Sequence, residues 1–303
     1  MTTKAPLFAI TILMLVAGLV VPAPVQARPR TTGGLIVFRS LRDAGNQEIY
    51  SMNGDGSNET RLTSSAANEF SPALSPDGTH IVYAAEMGSN LATAEIGMRL
   101  RDGSNHQRLT RNSSRDDYPA WSPDGLQIAF VSFRDGDAEI YLMQRNGSNQ
   151  VDITTFPAAD DEDPNWSPDG TKIVFISDRS GVTGSNDVFV MNADGSNPVD
   201  ISKSPGTDWA PEWSPDGTKI AWRNDRTGNF DIYVMDADGS HQKDLTNHRG
   251  VDRQPTWSPD GTMIAFASNR SGNYEVWSMN ADGSHQTNLT GTSSWNDMPD
   301  WGT

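Results

Sequence analysis

Residues 213–240 read WSPDGTKIAWRNDRTGNFDIYVMDADGS. Pro215 presets φ and Gly217 supplies a positive φ, so the Ser-Pro-Asp-Gly segment is a hairpin turn following Trp213. The apolar run Ile220-Ala221-Trp222 is the strand it opens, and a polar loop from Asp225 to Asn229 leads to the next, Asp231 to Met235. The Asp238-Gly239-Ser240 turn then introduces a fourth strand ending near Leu245-Thr246. Pro211, two residues before Trp213, is tolerated at the first residue of a strand.

The unit recurs along the chain. Ser-Pro-Asp-Gly stands at 75–78, 122–125, 167–170, 214–217 and 258–261, and Pro-x-Trp at 119–121, 164–166, 211–213, 255–257 and 299–301. Pro72 to Leu74 is the same position with Leu for Trp. Asp/Asn-Gly-Ser begins at Asp55, Asp102, Asn146, Asp194, Asp238 and Asp282. Four short strands per repeat of this length is the blade of a β-propeller. The copy at Pro299 to Trp301 supplies only a first strand, whereas Leu35 to Phe38 and Glu48 to Met52 begin at a second and a third. Joined, the ends make one blade. The pattern therefore predicts an all-β, six-bladed propeller of four-stranded antiparallel blades, its ring closed by the C-terminal strand and its sheet edges removed.

These residues resemble the WD40-like repeat of the TolB propeller family over nearly all of the chain beyond residue 34. The resemblance implies a periplasmic protein-interaction scaffold with an envelope- or peptidoglycan-associated partner. Some related propellers are lyases or are fused to hydrolases. The α/β domain that precedes the family's propeller has no counterpart in residues 28–34.

Residues 1–27 carry Lys4, a run from Leu7 to Val21 that is apolar apart from Thr11, then Pro22, Pro24 and the small-residue site Val25-Gln26-Ala27. This is the pattern of a secretory signal peptide cleaved after Ala27. The run falls short of the ~20 apolar residues of a membrane span. The expected organisation is a signal peptide at 1–27, a linker at 28–34 and a propeller at 35–303. The exported chain is expected to be soluble and monomeric.

Across 303 residues, 23 Lys+Arg face 39 Asp+Glu, for a net charge of −16. Such an excess of acid repels phosphates and argues against nucleic-acid binding. The absence of cysteine excludes a disulfide framework, a thiolate metal site and a cysteine nucleophile. No nucleophile elbow, zinc-protease motif or glycine-rich phosphate loop occurs. No catalytic residue, metal or cofactor is expected. The stretch Asp236 to Gly239 resembles the start of a calcium loop, but Asn247 stands where the closing Glu belongs, so a hairpin is the better reading.

Function is therefore expected on one face. Three residues before each Pro stand Glu69, Asp116, Asp161, Asp208, Asp252 and Asn296, in segments expected to enter the first strand. The loop after the second strand carries Arg42, Arg134, Arg179, Arg226 and Arg270, with Glu86-Met87 in the remaining repeat. Either the acids ring the channel mouth and bind a cation or a basic partner, or each pairs with an arginine and the ring is structural. Phe70, Tyr118, Trp209 and Trp295 are candidate exposed anchors beside them. The loops at 158–163 and 182–184, and the Glu86 and Arg42–Asn296 junction, are the irregular places where partners bind. A protein partner on this face is the first reading, and a carbohydrate or small ligand at the channel mouth is the second.

Overall fold

Each Ser-Pro-Asp-Gly turn is held by its own aspartate. Oδ1 of Asp216 accepts from Ser214 Oγ at 2.6 Å and from the Thr218 N–H at 3.0 Å, and Gly217 takes a φ of +70°. These turns space the strands, and the computed structural model describes residues 33–43, 46–86, 93–180, 185–203 and 205–303. The expected signal peptide, most of the linker, Met87 and the 182–184 insertion lie outside the described residues.

Blade one contains β1 (Leu35–Ser40), β2 (Glu48–Asn53) and β3 (Thr60–Arg61); blade two contains β4 (Glu69–Leu74), β5 (His80–Ala85), β6 (Glu95–Leu100) and β7 (Gln107–Arg108). Blade three is β8 (Asp116–Trp121), β9 (Gln127–Ser132), β10 (Glu139–Gln144) and β11 (Val151–Asp152). Blade four is β12 (Asp161–Trp166), β13 (Lys172–Ser177), β14 (Asp187–Asn192) and β15 (Val199–Asp200). Blade five is β16 (Asp208–Trp213), β17 (Lys219–Asn224), β18 (Asp231–Asp236) and β19 (Lys243–Asp244). Blade six is β20 (Asp252–Trp257), β21 (Met263–Ser268), β22 (Glu275–Asn280) and β23 (Thr287–Asn288), and β24 (Asn296–Gly302) ends the chain. The sheet order β24-β1-β2-β3 joins the two ends in one blade, with Trp301 opposite Ile36. The six-bladed, end-closed propeller is therefore as the repeats predict.

The blades are held by apolar layers between them. Trp121 is buried with Phe70, Val82 and Ile96 of blade two and with Ile128 and Phe130 of its own blade. Its Nε1 donates to the Ala73 carbonyl across the interface at 3.3 Å, and Trp257 does the same to Glu212. The recurring tryptophan is thus an inter-blade wedge, and losing one such side chain costs about 3–5 kcal/mol.

The innermost strands differ from expectation at one point. They begin at the acid, not at the proline, because each contains a bulge. The third residue of each takes a positive φ: Ser71 +48°, Tyr118 +48°, Asp163 +52°, Ala210 +50°, Gln254 +53° and Met298 +51°. Pairing with the second strand shifts register at the same place in every blade. A non-glycine residue in this region is unusual, and six in a ring form a built feature.

Candidate functional site

The bulges decide which side chains reach the axis. Residues from all six first strands line a central cavity of about 440 Å³, including Tyr118, Asp163, Trp209, Glu212 and Asp300, together with Arg223 from the second strand of blade five. Neighbouring first strands are laced together here by side chains. The Ala210 N–H donates to Asp163 Oδ2 at 2.9 Å, Trp257 N–H to Glu212 Oε1 at 2.9 Å and Leu74 N–H to Asp300 Oδ2 at 2.7 Å. Burial, with Asp300 nearby, raises the Glu212 carboxyl to about 8, and burial raises Asp300 and Asp163 to about 6.

The acids at the first position do not ring the mouth in the open. Glu69, Asp116, Asp161, Asp208, Asp252 and Asn296 are all buried, inside their own blades. Arg134 pairs with Asp116 at 3.3 Å, Arg179 with Asp161 at 2.5 Å and Arg270 with Asp252 at 2.7 Å. Arg42 donates to Asn296 Oδ1 at 3.0 Å. Asp208 instead accepts from Trp222 Nε1 at 2.8 Å and Asn224 Nδ2 at 2.5 Å, and burial raises it to about 6. Glu69 takes Arg99 at 3.3 Å, and the buried Glu86 accepts from Asn68 at 2.7 Å. An exposed acidic mouth is thus corrected to an internal set in which Glu69, Asp116, Asp161 and Asp252 are clamped by arginine and Asp208 is held by Trp222 and Asn224. The cause is position: the acid opens a strand, opposite the end of the second strand.

The aromatic candidates divide. Phe70 is buried between blades two and three and is no anchor. Tyr118 and Trp209 line the channel. Trp295 is 39% exposed just before β24.

The second position varies from blade to blade (Phe70, Asp117, Glu162, Trp209, Arg253 and Asp297); Phe70, Asp117 and Asp297 are buried, and Trp209 lines the channel. Arg253 lies 3.5 Å over the Tyr274 ring and 5.1 Å from that of Trp295. Arg223 lies 4.7 Å over Phe230 and 5.4 Å from Trp209. Asp297 is gripped by Arg39 at 2.8 and 2.7 Å and by Trp295 Nε1 at 2.7 Å. Arg115 pairs with Asp117 at 2.5 Å. Even so, Nε of Arg115, Arg223 and Arg253 has no partner among the described residues. Burial opposes the charge on Arg223 and Arg253, with Arg253 adding to the effect on Arg223 and Arg39 to that on Arg253, while Asp297, 3.2 Å from Arg253, offsets part of it. Burial and the adjacent Asp163 and Asp160 raise Glu162 to about 8, which removes negative charge from the mouth near neutrality. Sequence reasoning missed Arg223, Arg253, Tyr274 and Asp297. The signal for Arg253 and Asp297 was variation at the second position against a fixed first, fourth and sixth.

The TolB beta propeller domain family matches residues 102–204 and 183–303. A TolB homolog of Chlorobaculum tepidum is 47% identical over 51 residues, which are 17% of this chain and 12% of that protein's length. Among solved structures, TolB from Acinetobacter baumannii aligns with a TM-score of 0.78 at 23% identity, over 89% of this chain and 67% of that one. A chain of the nidogen/laminin complex aligns with a TM-score of 0.70 at 10% identity, over 89% and 99%.

Proposed function

The chain belongs to the TolB β-propeller family, and from that premise we propose that it is an exported, non-enzymatic scaffold, periplasmic in location, that binds an envelope-associated protein at the channel mouth. The observation that carries this reading is the pair Arg223 and Arg253. Each is stacked on aromatic rings, each retains an N–H with no partner among the described residues, and burial opposes the charge of each. An acidic segment of a partner supplies both the missing acceptors and the opposing charge, and arginine with tryptophan and tyrosine is the composition of binding hot spots. The partner surface then comprises Tyr118, Trp209, Trp295, Arg223 and Arg253, while Glu69, Asp116, Asp161, Asp208, Asp252, Asn296 and Glu86 are buried and lie outside it. The Leu7 to Val21 run with its Ala27 site supports export.

A carbohydrate or small ligand in the 440 Å³ channel is the second reading, favoured by the rings of Tyr118 and Trp209 on its wall. Two measurements separate them. Capture of an envelope protein by the immobilised propeller, weakened by Arg253→Ala, supports the scaffold. Saturable binding on a glycan array with no such capture supports the ligand reading.

A further inference from the structure

Five blades fold an arginine back onto themselves. Arg42, Arg134, Arg179, Arg226 and Arg270 each stand two residues beyond the second strand of a blade. Each lays its guanidinium over the third-strand aromatic (Tyr50, Tyr141, Phe189, Tyr233 and Trp277) at 4.4 to 5.3 Å. Each donates Nε to the residue ending the second strand at 2.7 or 2.8 Å. Arg134 and Arg226 also reach Gln150 and Gln242 at 2.8 Å.

Blade two departs at all of these positions together. Its sequence has Met87 for the arginine, Ala85 for the serine, Gly97 for the aromatic and His106 for the glutamine. Gly97 is required by Tyr83, because a Cβ there would stand 3.0 Å from the Tyr83 Cζ. The Tyr83 hydroxyl accepts from Arg99 Nε and Nη2 at 3.0 and 2.7 Å and meets His106 Nδ1 at 2.6 Å. Arg99 Nη2 also donates to Oε1 of Glu69, at 3.3 Å.

What remains is a cavity of about 770 Å³, with Glu69, Glu86, Glu95, Ala85, Ile96 and Gly97 in its wall. Glu69 and Glu95 are 2% and 1% exposed, and Oε2 of each has no hydrogen-bond partner among the described residues. Arg108 satisfies only Oε1 of Glu95, at 2.6 Å. Three carboxyl groups therefore line the cavity beside two guanidiniums, and burial raises that of Glu69 despite the nearby Arg99. Burial, with Arg99 nearby, lowers the His106 imidazole from its ordinary value, so it does not make up the difference at neutral pH.

We propose that the blade-two cavity binds an alkylguanidinium group from outside the chain, in the place that the other five blades fill with their own arginine. A planar fork of N–H donors suits two unpartnered carboxylate oxygens, and the methylene stem suits Ala85, Ile96 and Gly97. The site is separate from Arg223 and Arg253 and stands whether or not the mouth binds a protein.

The experiment is calorimetric titration of the whole mature protein with n-butylguanidinium, with n-butylammonium, and with a blocked Gly-Arg-Gly peptide. Saturable guanidinium binding is expected, with the ammonium weaker. Tighter binding of the peptide assigns the group to an arginine of a polypeptide, and equal or weaker binding assigns it to a free small molecule. Glu69→Gln should weaken binding by about tenfold or more, as loss of a buried charge-assisted bond does. No saturable guanidinium binding, or binding undiminished in Glu69→Gln, overturns the proposal.

Discussion

Asp300, in the last strand of the chain, accepts a hydrogen bond at 2.7 Å from the backbone N–H of Leu74, in the first strand of blade two. The chain terminus is thereby tied both into blade one and across to its neighbour. Removing residues 296–303 takes away Trp301, its pairing with Ile36 and this bond. Loss of one such aromatic alone costs about 3–5 kcal/mol, a large share of ordinary domain stability. The truncated chain should melt far below the mature protein in a calorimetric scan, and a shift of only a few degrees would refute closure by β24.

Gly217 sits at φ +70° with a Cβ position 3.3 Å from the Pro168 side chain. Gly217→Val should destabilise by about 1–3 kcal/mol, as strained backbone positions do. Lys219→Ala nearby removes an exposed ion pair to Asp236 and should change stability by less than about 0.5 kcal/mol. Denaturant midpoints of the two variants decide it, and equal effects would contradict the turn assignment.

The closure and the turns were legible in the sequence because they depend on local chemistry. Pro215 and Gly217 fix a turn whatever surrounds them, and Pro299 to Trp301 is recognisable as a strand lacking its blade. The site was legible only in part. Asp116 and Asp252 were correctly seen as possible partners of Arg134 and Arg270, yet their burial follows from a bulge at Tyr118 and Gln254 that no local signal announces. Trp209 and Phe70 occupy equivalent positions, and only the packing of adjacent blades sends one to the channel and the other to the core.

Glu212 gives a pH dependence with a defined sign. Its carboxyl is raised from 4.5 to about 8, so the folded state holds the proton more tightly than the unfolded chain. Its contribution to stability is fully present below pH 4.5 and is lost as pH rises through about 8. Glu212→Gln keeps the acceptor to Trp257 and removes the titration. The difference in Tm between the variant and the parent should grow in the variant's favour from pH 5 to 8, and a constant difference would rule out Glu212 as the titrating group.

The turn aspartates act in the opposite sense. Hydrogen bonds from Ser75 and Thr79 hold Asp77 well below its ordinary value, and Asp124, Asp169, Asp216 and Asp260 are lowered by the same local bonds. Their contribution is present above the ordinary carboxylate range and is lost as pH falls through the lowered values. Acid unfolding of the parent should therefore shift to higher pH when Asp77 and Asp124 are replaced by Ala, measured by circular dichroism.

The central claim is that a protein partner binds at the mouth, through aromatic residues and arginines, and not at the Asp-Gly-Ser turns. The most direct measurement is the affinity of the captured envelope protein for Trp209→Ala and Trp295→Ala, set against His241→Ala and His285→Ala, which directly follow the Asp238-Gly239-Ser240 and Asp282-Gly283-Ser284 turns. The tryptophan changes should each weaken binding by about 1–2 kcal/mol or more, as loss of an aromatic anchor does, and the histidine changes should leave it intact. Binding lost in the histidine variants and untouched in the tryptophan variants would place the partner on the opposite face and contradict the account.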